Sequence, residues 1–215
     1  KHGEQSSPNE TGDNVDDPVT VTAAKAYINH GVKTSGKEYV FVAVPATNAT
    51  DMAELAAKMA NKGGEIFEIK AQNEKLHALA YKPAKVTAYS IFTAVDGLNF
   101  GRLKSTASEM LLMEKPGVND KMLSLAISNP NLRPQADNVY GWVATPTQTS
   151  IVLDGEWVLN GDAIDGVTIT PQSDKTTKID LTLTEGEPVY IDLVDKDAVG
   201  ITTVDQSEQA HVYRA

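Results

Sequence analysis

The chain has 215 residues, of which 22% are charged, 41% apolar and none cysteine, with a formal net charge of −10. This composition predicts a soluble globular protein with room for one large or two small domains, and it excludes a disulfide framework, a thiolate nucleophile and a cysteine-based zinc site. No apolar run approaches the roughly 20 residues that a helical membrane span needs, and the first residues carry no signal-peptide core, so any export signal is expected in a longer precursor.

The acidity is concentrated at the ends. Residues 1–17 carry one base and five acids, and residues 185–215 carry two bases and seven acids, leaving a net −1 between them. Such a field does not steer a polyanion toward the chain. Nucleic acid is therefore not an expected partner, and contact with an anionic polysaccharide is expected to be weak or indirect.

Residues 1–14 have too few apolar groups to pack and predict a flexible leader. Asp16-Asp17 reads as a solvated acidic loop in preference to half of a calcium site. Residues 19–22 alternate and predict a strand. Residues 39–44 are apolar at every position, bounded by Gly36 and Pro45 and too short for a helix, which predicts a strand buried on both faces. Over residues 50–62 a helix is expected, because Met52, Leu55, Ala56, Met59 and Ala60 share one face. Asn48 or Thr50 can cap its start and Gly63-Gly64 its end. The buried strand with this helix lying on it is the expected organising unit.

Short strands follow. Residues 65–69 and 76–81 flank a polar loop as in a hairpin, residues 86–93 alternate up to Asp96-Gly97, and residues 98–104 suit a further brief strand. Ser105-Thr106-Ala107-Ser108 is small and polar and suits a junction. Residues 109–114 and 121–127 flank a turn containing Pro116-Gly117, and the proline-rich residues 129–138 cannot continue a sheet. Residues 151–153 and 156–159 flank Asp154-Gly155, which predicts a tight two-residue hairpin. Residues 167–170 and 179–183 alternate with one face buried and one wet, and residues 189–193 can close the sheet. About a dozen short strands with one helix predict a mainly β chain of antiparallel β-sandwich units carrying one amphipathic helix.

The order of several short motifs adds a resemblance. Tyr27-Ile28-Asn29-His30-Gly31 precedes Tyr39-Val40-Phe41-Val42, Pro45 and the Thr50-Asp51-Met52-Ala53-Glu54-Leu55-Ala56 helix. Val86-Thr87-Ala88-Tyr89 follows, then Lys121-Met122-Leu123-Ser124-Leu125-Ala126-Ile127-Ser128-Asn129-Pro130, then Leu153-Asp154-Gly155-Glu156-Trp157. Over roughly residues 15–193 this resembles the late part of polysaccharide lyase family 8, and among its members the chondroitin sulfate ABC lyases. The resemblance implies that residues 15–105 form the end of a central supersandwich and residues 106–200 a small C-terminal sandwich, with residues 201–215 a tail.

Candidate chemistry is sparse. His2 and His211 lie near the ends. His77 sits in an apolar strand with no ligand-spaced partner, and His30 reads as a structural group of its loop. Asp192, Asp195 and Asp197 are closely spaced but lack the glycine and distal glutamate of a calcium loop. No nucleophile elbow, phosphate-binding glycine loop or zinc-protease pair occurs. Asn9-Glu10-Thr11 and Asn48-Ala49-Thr50 fit the glycosylation triplet. Trp142 and Trp157 can stack on sugar rings, although both lie in strand-like apolar runs that favour core packing. No catalytic, cofactor-binding or metal-binding residue is assigned, and no cofactor is expected.

What the resemblance implies is β-elimination on a uronate-containing polysaccharide, performed by a helical domain that this chain does not match. The chain is then expected to be the non-catalytic C-terminal portion of a bacterial secreted or periplasmic glycosaminoglycan lyase. Its substrate class would be chondroitin or dermatan sulfate or hyaluronan. It would be inactive alone and monomeric, with the helical domain of the parent chain as its main partner. The alternative is a free-standing carbohydrate-binding or cell-surface adhesion module.

Overall fold

A computed structural model describes residues 2–7, 19–24, 27–32, 35–36, 39, 41–59, 64–117, 120–130, 146–184 and 186–199. Trp142, His211, Asp16 and Asp17 lie outside them. The chain divides into two compact units, Lys1–Pro45 and Ala46–Ala215.

In Lys1–Pro45, β1 (His2–Ser7) pairs antiparallel with β2 (Val19–Ala24), His2 opposite Ala24. The expected buried strand at residues 39–44 is not found: its described residues form no strand, and Tyr39 and Phe41 are 59% and 71% exposed. The correction has a simple cause. A continuous apolar run becomes a buried strand only where neighbouring strands complete its ladder and other layers cover its faces, and among the described residues of this unit no such layer exists.

The unit Ala46–Ala215 opens with α1 (Ala49–Lys58), capped at Met59; residues 60–62 of the expected helix lie outside the described residues. Asn48 caps it, its side-chain oxygen accepting from the backbone N–H groups of Thr50 at 2.9 Å and Asp51 at 3.0 Å. The expected packing of its apolar face is absent, because α1 contains no buried residue.

Among the described residues eleven strands then build two antiparallel sheets. They are β3 (Phe67–Gln72), β4 (Leu76–Tyr81), β5 (Val86–Ile91), β6 (Leu103–Thr106), β7 (Met110–Pro116), β8 (Met122–Ser128), β9 (Thr147–Asp154), β10 (Trp157–Leu159), β11 (Val167–Pro171), β12 (Thr176–Leu183) and β13 (Val189–Asp195). One sheet has seven strands in the order β10-β13-β8-β7-β5-β4-β3, the other four in the order β11-β12-β9-β6. The mainly β, antiparallel sandwich class is thus as the alternation implies. Ser105 and Thr106 belong to β6 of the four-stranded sheet, where β6 pairs with β9, and the seven-stranded sheet holds strands from both sides of them, β5 pairing with β7.

Period-two alternation fixes which residues enter the core. In the larger sheet the cross-strand row Ala78, Tyr89, Leu112, Ile127 points inward and is buried. From the smaller sheet Ile151, Leu153, Ile179 and Leu181 join the same cluster, each no more than 2% exposed. Burying each such aliphatic side chain contributes about 1.5–3 kcal/mol, so this shared interior is what holds the sheets face to face.

Residues 151–159 do not form the expected hairpin. β9 pairs with β6 and β12, whereas β10 pairs with β13 in the other sheet. The Asp154-Gly155 turn therefore carries the chain from one sheet to the other.

Candidate functional site

Three places in Ala46–Ala215 concentrate chemistry. The first is the corner after β9. Gly155 has φ +100°, a conformation open to glycine, and a Cβ there would lie 2.7 Å from Trp157 Nε1. The indole folds back so that Nε1 donates to the Asp154 carbonyl at 2.7 Å. Thr177 Oγ1, reaching across from β12, accepts from the Trp157 N–H and donates to the Gly155 carbonyl, both at 2.7 Å. The Arg102 guanidinium covers the indole at 5.7 Å from its centre. These bonds satisfy the backbone groups that a sheet-switching turn would otherwise leave unpaired. Trp157 is 3% exposed and is a core residue, so it offers no stacking surface to a sugar.

The second place is a buried carboxylate that the sequence reading did not single out. Glu114 on β7 is 2% exposed. It accepts from Tyr89 Oη at 2.9 Å, and the backbone N–H of Arg102 donates to both of its oxygens at 3.0 Å. Burial pushes its carboxyl above the ordinary range, opposed by hydrogen bonds from the Arg102 and Leu103 backbone and from Tyr89, and by the Arg102 charge. Tyr89 is raised as well, by its own burial first and by the Glu114 charge second. Gly101, at φ +65°, allows the chain before β6 to approach so closely that a Cβ would collide with Glu114 and Tyr89. The signal was present: Met110 and Leu112 point inward, so alternation places Glu114 on the same face. With Tyr89 and Glu114 both 2% exposed, the pair is shut away from any polymeric substrate. What it can do chemically is tie β5, β7 and the residue 101–103 turn together.

The third place is the outer face of the seven-stranded sheet. Ile69, Leu79, Ala88, Met113 and Ala126 are directly opposed across five strands and form one uncharged row. Ile69, Leu79 and Leu111 are 43%, 37% and 43% exposed. A shallow trough of about 450 Å³ runs over Ala88, Ser90, Met113, Ala126 and Ser128. The smaller sheet differs. Its outward rows include Thr168, Asp180 and Ser150, then Thr170 and Lys178, with Lys178 and Asp180 paired at 2.7 Å. That face is polar row by row, whereas the outer face of the larger sheet sets this uncharged row beside polar ones such as Lys115, Ser124 and Asp192.

The histidines and acids named from the sequence fall apart in space. His77 is exposed on the outer face with its ring edge-on to Phe92 at 5.1 Å. His30, in the other unit, lies 5.7 Å from the Tyr39 ring, and Asn29 Oδ1 accepts from the Gly31 N–H at 2.8 Å. Asp192 accepts from Ser124 Oγ at 2.6 Å, while Asp195 pairs with Lys121 at 2.8 Å and accepts from the Asp197 N–H at 2.9 Å. The Lys121 contact holds the Asp195 carboxyl below its ordinary range. Among the described residues no group of three or more histidine and acidic side chains is placed to hold a metal ion.

No family model matches the chain, and no curated protein matches it. Solved structures similar to it include a Streptomyces coelicolor A3 chondroitin AC lyase in complex with chondroitin sulphate, with 15% identity and a TM-score of 0.47 over 66% of this chain. A point mutant of that enzyme gives 14% identity and a TM-score of 0.49 over 69% of this chain. A Paenibacillus xanthan lyase gives 12% identity and a TM-score of 0.48 over 71% of this chain. The chain spans only 16%, 17% and 13% of the lengths of those three chains.

Proposed function

We propose that this chain is a non-catalytic β-sandwich portion of a secreted bacterial family 8 polysaccharide lyase. The parent enzyme would cleave a glycosaminoglycan such as chondroitin sulfate, dermatan sulfate or hyaluronan by β-elimination. The observation that carries the reading is where the family-like motifs fall. Tyr89 of Val86-Thr87-Ala88-Tyr89, Leu123, Leu125 and Ile127 of the Lys121–Ile127 stretch, and Trp157 of Leu153-Asp154-Gly155-Glu156-Trp157 are all buried core groups. Residues spent on packing support an architectural role: holding a sandwich beside the catalytic helical domain of the same parent and shaping one wall of its cleft. The free-standing sugar-binding alternative would need exposed aromatics or a basic groove; Trp157 faces the core and does not serve it, while Trp142 lies outside the described residues.

β-Elimination demands a base next to the uronate α-proton and a group that neutralises the adjacent carboxylate. The parent's helical domain supplies both in this reading. The purified chain, incubated with chondroitin sulfate and with hyaluronan and followed by the ultraviolet absorbance of the new conjugated uronate, is expected to release no unsaturated product. Turnover that survives further purification would refute the non-catalytic assignment.

A further inference from the structure

We infer that Asn160 is a site of spontaneous deamidation, and that the modification loosens the end of edge strand β10. Asn160 is the single asparagine of the chain that a glycine follows. It stands directly after β10, in the connection to β11. The reaction is intramolecular and consumes only water. The Gly161 amide nitrogen gives its proton to hydroxide and bonds to Asn160 Cγ, and ammonia leaves as a succinimide ring closes. Water then opens the ring at either carbonyl. One opening yields aspartate; the other yields isoaspartate, in which the main chain runs through the former side chain and is one carbon longer.

The local structure leaves that reaction open. Gly161 is exposed with φ +130°, and a Cβ built there meets nothing within 4 Å, so the turn has room to bring its nitrogen to the carboxamide. Among the described residues neither the Gly161 N–H nor the Asn160 side chain has a hydrogen-bond partner. The three aspartate–glycine steps of the chain offer an ionised carboxylate instead, a poorer acyl acceptor than a neutral carboxamide. Two of them also hold the nucleophile in place: the Gly97 N–H donates to Asp96 Oδ1 at 2.7 Å and the Gly155 N–H to the Lys175 carbonyl at 3.0 Å.

The position gives the modification its effect. Leu159 pairs with Leu193, and the ladder runs on so that Asn160 stands opposite Asp192, its backbone N–H donating to the Asp192 carbonyl at 2.9 Å. Directly opposed residues share a face of the sheet, and like charges there are destabilising. Asparagine is neutral at this place. The aspartate product sets a carboxylate against that of Asp192, and the isoaspartate product lengthens the main chain where the ladder ends. β10 lies at the edge of its sheet and is paired with β13 alone, so it has no second ladder to hold it.

The full chain, held in warm and mildly alkaline buffer and then digested, is followed by peptide mapping with mass spectrometry. The peptide containing Asn160 is expected to gain about 1 Da, as aspartate and isoaspartate, at least tenfold faster than peptides containing Asn73 or Asn99. Comparable rates at the three asparagines overturn the proposal. The same incubation in denaturant separates structure from sequence: the native rate is expected to stay within severalfold of the unfolded rate. A native rate more than tenfold slower means that the turn shields Asn160, and also overturns the proposal. Asn160→Asp, the product made directly, is expected to lower Tm by a few degrees, and adding Asp192→Asn to recover that loss. An unchanged Tm, or a loss that Asp192→Asn leaves in place, refutes the effect assigned to β10.

Discussion

Removing the Glu114 carboxylate is the most informative single perturbation of the sandwich. Glu114→Ala deletes the acceptor of the Tyr89 hydroxyl and of the Arg102 N–H, the latter bonded to both oxygens. Each buried donor left unpaired costs about 1–3 kcal/mol, and the vacated volume adds to that. The expected loss is about 3–5 kcal/mol, or roughly 6–20 °C in Tm for a unit of this size. Glu114→Gln separates charge from shape. It relieves the burial of a charge but turns an amide N–H₂ toward donors, so about 1–2 kcal/mol is expected to be lost. Tyr89→Phe made in both backgrounds completes a cycle whose coupling should exceed about 1 kcal/mol. Thermal unfolding followed by near-ultraviolet circular dichroism measures all four proteins. Strictly additive effects, or a Glu114→Ala Tm within 2 °C of the parent, would show that the buried network does not hold the turn to the sheet.

The same residue sets a pH dependence. Its native carboxyl lies above the unfolded reference of 4.5, so between those two values the folded state binds the extra proton. Stability from this group is then full below pH 4.5 and declines as pH rises through the native value. The Tm advantage of the parent over Glu114→Gln should accordingly shrink from pH 4.5 upward; growth of that advantage with pH would contradict the burial argument. At the sheet-switching corner, Gly155→Ala forces φ +100° on an L residue against the Trp157 indole and should cost about 1–3 kcal/mol, with a red shift in tryptophan emission as the diagnostic. Thr106 presents the opposite case, a buried hydroxyl with no hydrogen-bond partner. Thr106→Val should leave Tm unchanged or raise it by a few degrees, since it removes a desolvated group of nearly the same shape; a clear fall in Tm would mean that the hydroxyl is bonded in solution.

Much of the sandwich was legible because strands half-buried in one core carry a period of two. β4, β7 and β8 lie within a few residues of the apolar runs that polar loops and turns mark off, and β12 of where alternation places it. The organising unit failed for a complementary reason. Residues 39–44 satisfy every local condition for a buried strand, but burial is conferred by neighbours, and a local pattern cannot supply them. The Asp154-Gly155 turn failed on topology. A two-residue turn and a sheet-switching corner both require a residue that tolerates positive φ; what decides between them is Thr177, 22 residues away, bonding to Gly155 and Trp157 from the other strand. Glu114 could have been found by extending the Met110-Leu112 alternation two residues, although nothing local reveals that Gly101 brings the Arg102 N–H to meet it.

The central claim is that this sandwich works as part of a larger lyase. An antibody raised against the chain, used on extracts of the producing cells, tests it most directly. A band several times larger than 23.1 kDa is the expected result. A band at the size of the chain itself would contradict the account and leave a free-standing β-sandwich module in its place.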